Sequence, residues 1–175
     1  MLTQKITATI RDVADFPKPG ILFKDITPLL EDPNLCGEMA DAIIKNFSNP
    51  IPDAIVGVES RGFFLGFLIA NKLGIPFIPV RKAGKLPYKT ISQEYSLEYG
   101  TAKVEMHVDS IKKGWNVLIH DDLLATGGTA SAAAELIKMQ DATVLGFSFI
   151  IDLTFLNGAE KLKEYSENVH SLVKY

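Results

Sequence analysis

The sequence has a single cysteine, Cys36, in 175 residues, so no internal disulfide can form and no paired-cysteine redox or zinc site is available. That usage fits a reducing compartment, and a cytoplasmic location is expected. Long apolar runs are also missing. The longest, Gly62 to Ala70, spans nine residues, against the ~20 a helix needs to cross a bilayer. Asp12 and Asp15 precede any such run, so the N-terminal segment does not read as a signal peptide. There is no basic excess: the net charge is −3 and the pI about 5.6, which argues against a nucleic-acid coat. No internal repeat or low-complexity tract is visible. What remains is an ordinary globular composition, 47% hydrophobic and 22% charged, of a length suited to one domain with its own core.

Leu2, Ile6, Ile10 and Val13 recur at helical spacing and predict an amphipathic first helix, stopped by Phe16-Pro17-Lys18-Pro19-Gly20. Ile21 to Leu30 reads as irregular. Asp32-Pro33 reads as the start of a helix carrying Leu35, Met39, Ile43 and Phe47 on one face. A strand–turn–helix pattern follows. Ala54 to Val58 is a strand, Glu59-Ser60-Arg61-Gly62 a turn, and Phe63 to Leu73 a helix stopped by Gly74. Further strands are predicted at Pro76–Val80, Ala102–Val108, Asn116–His120 and Thr143–Leu153. A helix is predicted over Thr129–Met139, then a short helix and a final strand, Val169–Val173. Residues 81–101 lack periodicity and hold Lys82, Lys85, Lys89, Gly84, Pro87 and Gly100, as a functional lid or a linker would. Short apolar strands alternating with helices imply an α/β fold, a mostly parallel twisted sheet flanked by helices. In such sheets ligands bind beyond the carboxyl ends of the strands. The loops leaving those ends are 59–62, 81–101 and 121–129.

The last of these carries the most specific chemistry. An apolar strand runs into Asp121-Asp122, then Leu123-Leu124-Ala125, then Thr126-Gly127-Gly128-Thr129 at a helix start. The glycines let backbone amides approach a ligand, and amides at a helix N-terminus favour a phosphate. Thr126 and Thr129 add hydroxyl donors. Asp121 and Asp122 are acceptors suited to a vicinal diol. Together these parts suit a ribose 5-phosphate.

This segment resembles the phosphoribosyl diphosphate signature of the type I phosphoribosyltransferases, and most closely that of the adenine-using members. Phe16 to Pro28, Glu59-Ser60-Arg61-Gly62-Phe63, Val80 to Pro87 and Leu97-Glu98-Tyr99-Gly100 are similar to that family in order and spacing. The resemblance covers nearly the whole of 1–175 as a single domain. It implies a small hood at about 16–30 and a flexible lid at about 81–101. It also implies transfer of a 5-phosphoribosyl group from phosphoribosyl diphosphate to adenine, giving AMP and pyrophosphate. Magnesium would be held mainly by diphosphate and water, with no direct protein ligand. Ser60 and Arg61 would hold the diphosphate next to a cis peptide between Glu59 and Ser60. Arg81, Lys82 and Lys85 would neutralise the leaving group. Arg81 would reach a neighbouring subunit's site in a homodimer. Glu105 would be the catalytic acid–base group. Phe23 would stack on the purine, Leu153 cover its other face, and the Leu22 carbonyl accept from the exocyclic amine. Lys24 stands near the base where many relatives carry Arg, exchanging a planar contact for a point charge. Pro87-Tyr88 replaces the commoner Pro-Gly. His120 occupies a usually apolar site and reads as a packed or hydrogen-bonded histidine. Two alternatives stay open: another purine phosphoribosyltransferase, acting on hypoxanthine, guanine or xanthine, and a non-catalytic sensor of phosphoribosyl diphosphate. Neither nucleic acid nor membrane is an expected partner.

Overall fold

The computed structural model describes residues 1–96 and 100–175. Leu97, Glu98 and Tyr99 lie outside them, and with them most of the Leu-Glu-Tyr-Gly segment. Strands β1 (Arg11–Ala14) and β2 (Leu22–Asp25) form a small antiparallel ribbon. The central sheet has seven strands: β3 (Ala54–Val58), β4 (Phe77–Lys82), β5 (Thr90–Ser96), β6 (Thr101–His107), β7 (Asn116–Leu124), β8 (Thr143–Asp152) and β9 (Val169–Lys174). Their order is β5-β6-β4-β3-β7-β8-β9. The run from β4 through β9 is parallel, and β6 and β5 extend it antiparallel at one edge. The expected single-domain α/β fold with a mostly parallel sheet is the one observed.

The strands read as they do because both faces of the sheet are covered. Every residue of β3 is buried. Its alternate side chains feed two cores, as strand geometry requires. Ala54, Val56 and Val58 join Val117, Ile119, Phe147 and helix α5 (Gly128–Lys138). The buried alanines of α5, Ala130, Ala132, Ala133 and Ala134, let that helix lie close to the sheet. Ile55 and Leu118 face the other way, onto α1 (Leu2–Thr9), α3 (Pro33–Asn46) and α4 (Gly62–Leu73). Asp32 caps α3 by accepting from the amides of Asn34 and Leu35 at 2.9 and 3.1 Å, with Pro33 in the first turn. Gly74 ends α4 in the left-handed region at φ 66°. A short helix, α2 (Thr27–Leu30), follows the ribbon, and α6 (Gly158–Leu162) follows β8. No helix among the described residues is long and apolar enough to cross a membrane.

Four local expectations change. The first helix stops at Thr9, and Val13 lies in β1 rather than on its apolar face. The 21–30 segment is not irregular but holds β2 and α2. The aperiodic 81–101 stretch contains β5, seven residues paired in full with β6. The acidic doublet sits inside β7, which continues through Leu124, rather than in a loop after it.

Candidate active site

The site is built at the carboxyl ends of β3, β4 and β7. Asp121 and Asp122 are successive residues near the end of β7, and both line one cleft there. Asp122 is buried and meets the Arg61 guanidinium at 2.9 Å, a close ionic contact from the N-terminus of α4. The Asp121 carboxylate accepts from the Asp122 amide at 2.8 Å. Burial pushes the carboxyl pKa of Asp121 well up, and the neighbouring charge of Asp122 pushes it further. Burial also raises Asp122, with Arg61 opposing it. The doublet is therefore a pair of desolvated acids sharing one guanidinium.

Beyond the doublet, Ala125, Thr126, Gly127, Gly128 and Thr129 surround a small cleft of ≈ 80 Å³ at the start of α5. Gly127 caps that helix at φ 78°, and an added Cβ would sit 2.9 Å from the Gly158 carbonyl oxygen. Both conformation and space therefore call for glycine. The amides of the first turn face the cleft end of the helix, where the backbone dipoles favour an anion.

Asp121, Leu123 and Thr129 also line a second cleft, of ≈ 180 Å³, with Glu59, Ser60, Arg61 and Lys82. The peptide between Glu59 and Ser60 is cis, as the family resemblance implied. Gly62 opens α4 directly against β7. A Cβ there would lie 2.7 Å from the His120 carbonyl oxygen and 2.9 Å from Asp121 Oδ1. This close approach sets the Ser60-Arg61 turn beside the doublet. Tyr95 of β5 closes another wall, so the strand missing from the sequence reading contributes to the cleft.

A third and larger cleft, of ≈ 960 Å³, lies under the ribbon. Leu22, Lys24 and Leu153 line it, and Thr126 joins it to the small cleft at α5. Phe23 packs edge-on to Phe16, with ring centroids 5.0 Å apart, and the Arg61 guanidinium lies 5.1 Å from its ring centroid. Lys24 is not a free point charge over the base cleft. Its ammonium contacts Asp12 at 2.7 Å and sits 4.1 Å from the centroid of the Tyr175 ring.

The basic residues at the end of β4 and just beyond it gather on one carboxylate. Glu59 accepts from Lys85 Nζ at 2.6 Å, the Lys82 amide at 2.9 Å and Arg81 Nη2 at 3.2 Å. Burial opposes ionisation of Glu59, but Lys85, Arg81 and the Lys82 amide outweigh it and bring its pKa down to about 2. Arg81 also donates to the Lys85 carbonyl, at 3.1 Å.

Glu105 does not join the site. Val104 lines the doublet cleft, while Glu105, the next residue of β6, lines none of the three clefts. It stands opposite Arg81 in the β4–β6 register and accepts from the Gly84 amide at 3.0 Å. Strand alternation sets its side chain on the face opposite that of Val104. His120 is fully buried, with Nδ1 2.9 Å from Ser148 Oγ, and burial brings its pKa down to about 3. It is packed and hydrogen-bonded, as expected.

Sequence reasoning missed Glu59 and Tyr175. Glu59 was visible as the last residue before Ser60-Arg61, at a strand end. Its three partners come from a segment more than 20 positions away, beyond any local pattern. Tyr175 carries no motif at all.

This architecture has close counterparts. A family model described as the phosphoribosyl transferase domain matches residues 26–172. Over 175 residues the chain is 52% identical to the adenine phosphoribosyltransferase of Cytophaga hutchinsonii, covering all of this chain and 97% of that protein. The crystal structure of adenine phosphoribosyltransferase from Rhodothermus marinus superposes with a TM-score of 0.93 at 45% identity, covering 99% of this chain and 98% of that one. The Saccharomyces cerevisiae enzyme, solved with an imino-altritol bisphosphate and adenine, superposes at 0.91 with 39% identity, covering 98% of each chain. On this likeness, which runs the length of the sheet and through every loop of the three clefts, the chain belongs to the adenine phosphoribosyltransferase family.

Proposed function

We propose that the protein transfers the 5-phosphoribosyl group of phosphoribosyl diphosphate to adenine, forming AMP and pyrophosphate in purine salvage. One observation carries this reading: three clefts share walls along Asp121–Thr129, so a ribose seated there can extend its groups into all of them. Thr129 and Asp121 link the Ser60-Arg61 cleft to the helix start, and Thr126 links the helix start to the hood. The first suits a diphosphate, the second a 5-phosphate and the third a planar base.

In this reading the first-turn amides of α5 and the hydroxyls of Thr126 and Thr129 hold the 5-phosphate. Asp121 and Asp122 accept from the ribose diol. Ser60, Arg61 and Lys82 hold the diphosphate, with Arg81 supplied from the end of β4 and Lys85 from the loop that follows. As the glycosidic bond breaks, positive charge builds on the sugar and negative charge on the departing diphosphate. Cations already aimed at the diphosphate stabilise that separation. Adenine enters the hood beside Leu153, Phe23 turns onto its other face from its place against Phe16, and the Leu22 carbonyl accepts from its amine. An oxo group there would meet an acceptor with an acceptor.

The donor set fits a magnesium ion held mainly by diphosphate and water, since the buried carboxylate of Asp122 is already engaged by Arg61. When bound, the ion neutralises charge on the diphosphate oxygens. A homodimer is part of the proposal. Phe64 and Phe67 of α4 are 54% and 60% exposed, an apolar face on the helix that opens with the diphosphate turn. A second copy would cover it.

The test is direct. The protein is mixed with magnesium, phosphoribosyl diphosphate and each purine in turn, and nucleotide is measured. AMP from adenine, with little product from hypoxanthine, guanine or xanthine, is expected. Nucleotide formed preferentially from an oxopurine would replace this reading with the alternative base. Binding without turnover would indicate a sensor.

A further inference from the structure

The proposed reaction assigns no task to the carboxylate at the end of β3. Glu59 is 9% exposed at its side chain, yet it faces the basic segment at the end of β4 and just beyond it rather than the core. Its two oxygens receive Lys85 Nζ, Arg81 Nη2 and the Lys82 amide, all within 3.2 Å. The turn is fastened at two further points. The Ala83 amide donates to the Lys103 carbonyl at 3.0 Å, and the Gly84 amide donates to Glu105 at 3.0 Å. Lysine and arginine side chains are otherwise among the most mobile in a protein, and fixing them on a ligand costs entropy.

We infer that Glu59 is a positioning residue for the diphosphate site: it gathers Arg81, Lys82 and Lys85 at the mouth of the cleft before substrate arrives. This deepens the proposed function and rests on it for the identity of the anion. Three features support it. The segment brings two cations, Arg81 and Lys85, to one carboxylate and fixes the Lys82 backbone beside them, so a net positive charge is left for a diphosphate. Glu59 is the residue immediately before Ser60, so the same turn that presents Ser60 and Arg61 also holds the loop. Glu105 anchors the same turn through Gly84, which gives that strand glutamate a place in loop order.

The test uses the full chain, with Glu59→Gln as the first variant. The amide keeps the shape and one acceptor but loses the charge that holds two cations. Two readouts are taken: trypsin cleavage within residues 81–85 without substrate, and Michaelis constants for both substrates. Cleavage is expected to accelerate. The Michaelis constant for phosphoribosyl diphosphate is expected to rise about tenfold, the order lost when two long side chains must be fixed on binding. The constant for adenine and the melting temperature should stay near the parent's. Glu59→Asp keeps the charge that holds Arg81 and Lys85 and should restore slow cleavage and a constant for phosphoribosyl diphosphate near the parent's, a rescue that loss of shape alone would not give.

Unchanged cleavage and unchanged constants in Glu59→Gln would overturn the inference. A fall in the diphosphate-sugar constant would overturn it too, showing a carboxylate that competes with substrate. So would an equal rise in both constants with a lower melting temperature in both variants, which marks a purely structural residue. If the parent makes no AMP but Glu59→Gln still loosens the loop, the positioning role stands and the substrate assignment fails.

Discussion

At the scale of single residues, the site is a set of desolvated charges whose protonation couples to folding. His120 illustrates the sign. Its imidazole is held neutral by burial, with a pKa of about 3 against an ordinary 6.5. Between pH 6.5 and 5 the unfolded chain takes up a proton at this position that the folded chain refuses. Stability therefore falls as pH falls, by up to about 1.4 kcal/mol per unit. Asp121, Asp122 and Asp152, raised by burial, act in the opposite direction. Glu59 is silent in that interval: its depressed pKa withdraws stability only as pH drops below 4.5 toward 2. Comparison with His120→Gln isolates the histidine. Urea midpoints measured at pH 6.5 and pH 5 should show a smaller acid loss in the variant. Equal losses would place the acid sensitivity elsewhere. The doublet and the glycine turn were legible because their chemistry is local: nine consecutive residues from Asp121 to Thr129 contain it. Glu59 and Glu105 were not, because the task of each is set by a partner in a distant segment.

At the scale of elements, the hood shows how a short ribbon is steered by contacts far along the chain. β1 and β2 pair Asp12 with Lys24, and Lys24 in turn lies over the Tyr175 ring beyond β9. Tyr175 also lines the hood cleft. Removing the ring by Tyr175→Ala takes away both a cation–π contact and a cleft wall. A cation–π contact is worth ~0.5–2 kcal/mol, so the Michaelis constant for adenine should rise by a few-fold or more. The constant for phosphoribosyl diphosphate should hold. Parallel rises in both, measured by initial rates, would dissociate the latch from the base cleft. The same nonlocal pairing explains the misread helix. Leu2, Ile6 and Ile10 do face the core, but the ribbon partner ends the helix at Thr9 and draws Arg11 to Ala14 into a strand. β5 was hidden for a related reason. Its residues are only partly buried, so no clean alternation marked it, and its order comes from seven pairings with β6.

At the scale of the whole molecule, one face of α4 remains apolar and open. Phe63 and Phe67 each pack edge-on to Phe77, at 5.7 and 5.9 Å, yet Phe67 and Phe64 still expose more than half their surface. Placing a charge there by Phe67→Asp should convert the proposed dimer to a monomer in sedimentation and lower AMP formation sharply if Arg81 serves a neighbouring site. A monomeric variant with undiminished activity would leave each chain with a self-sufficient site.

By itself, the sequence determined the strand–helix alternation, the parallel core and the phosphate turn, because each depends on burial periodicity or on neighbours within a few residues. Tertiary structure alone decided where the ribbon bends, that β5 exists, that Glu105 faces away from the doublet and that Glu59 gathers the basic loop. These depend on which strand lies next to which, and a hydrogen bond or ion pair between distant segments leaves no periodic trace in either one.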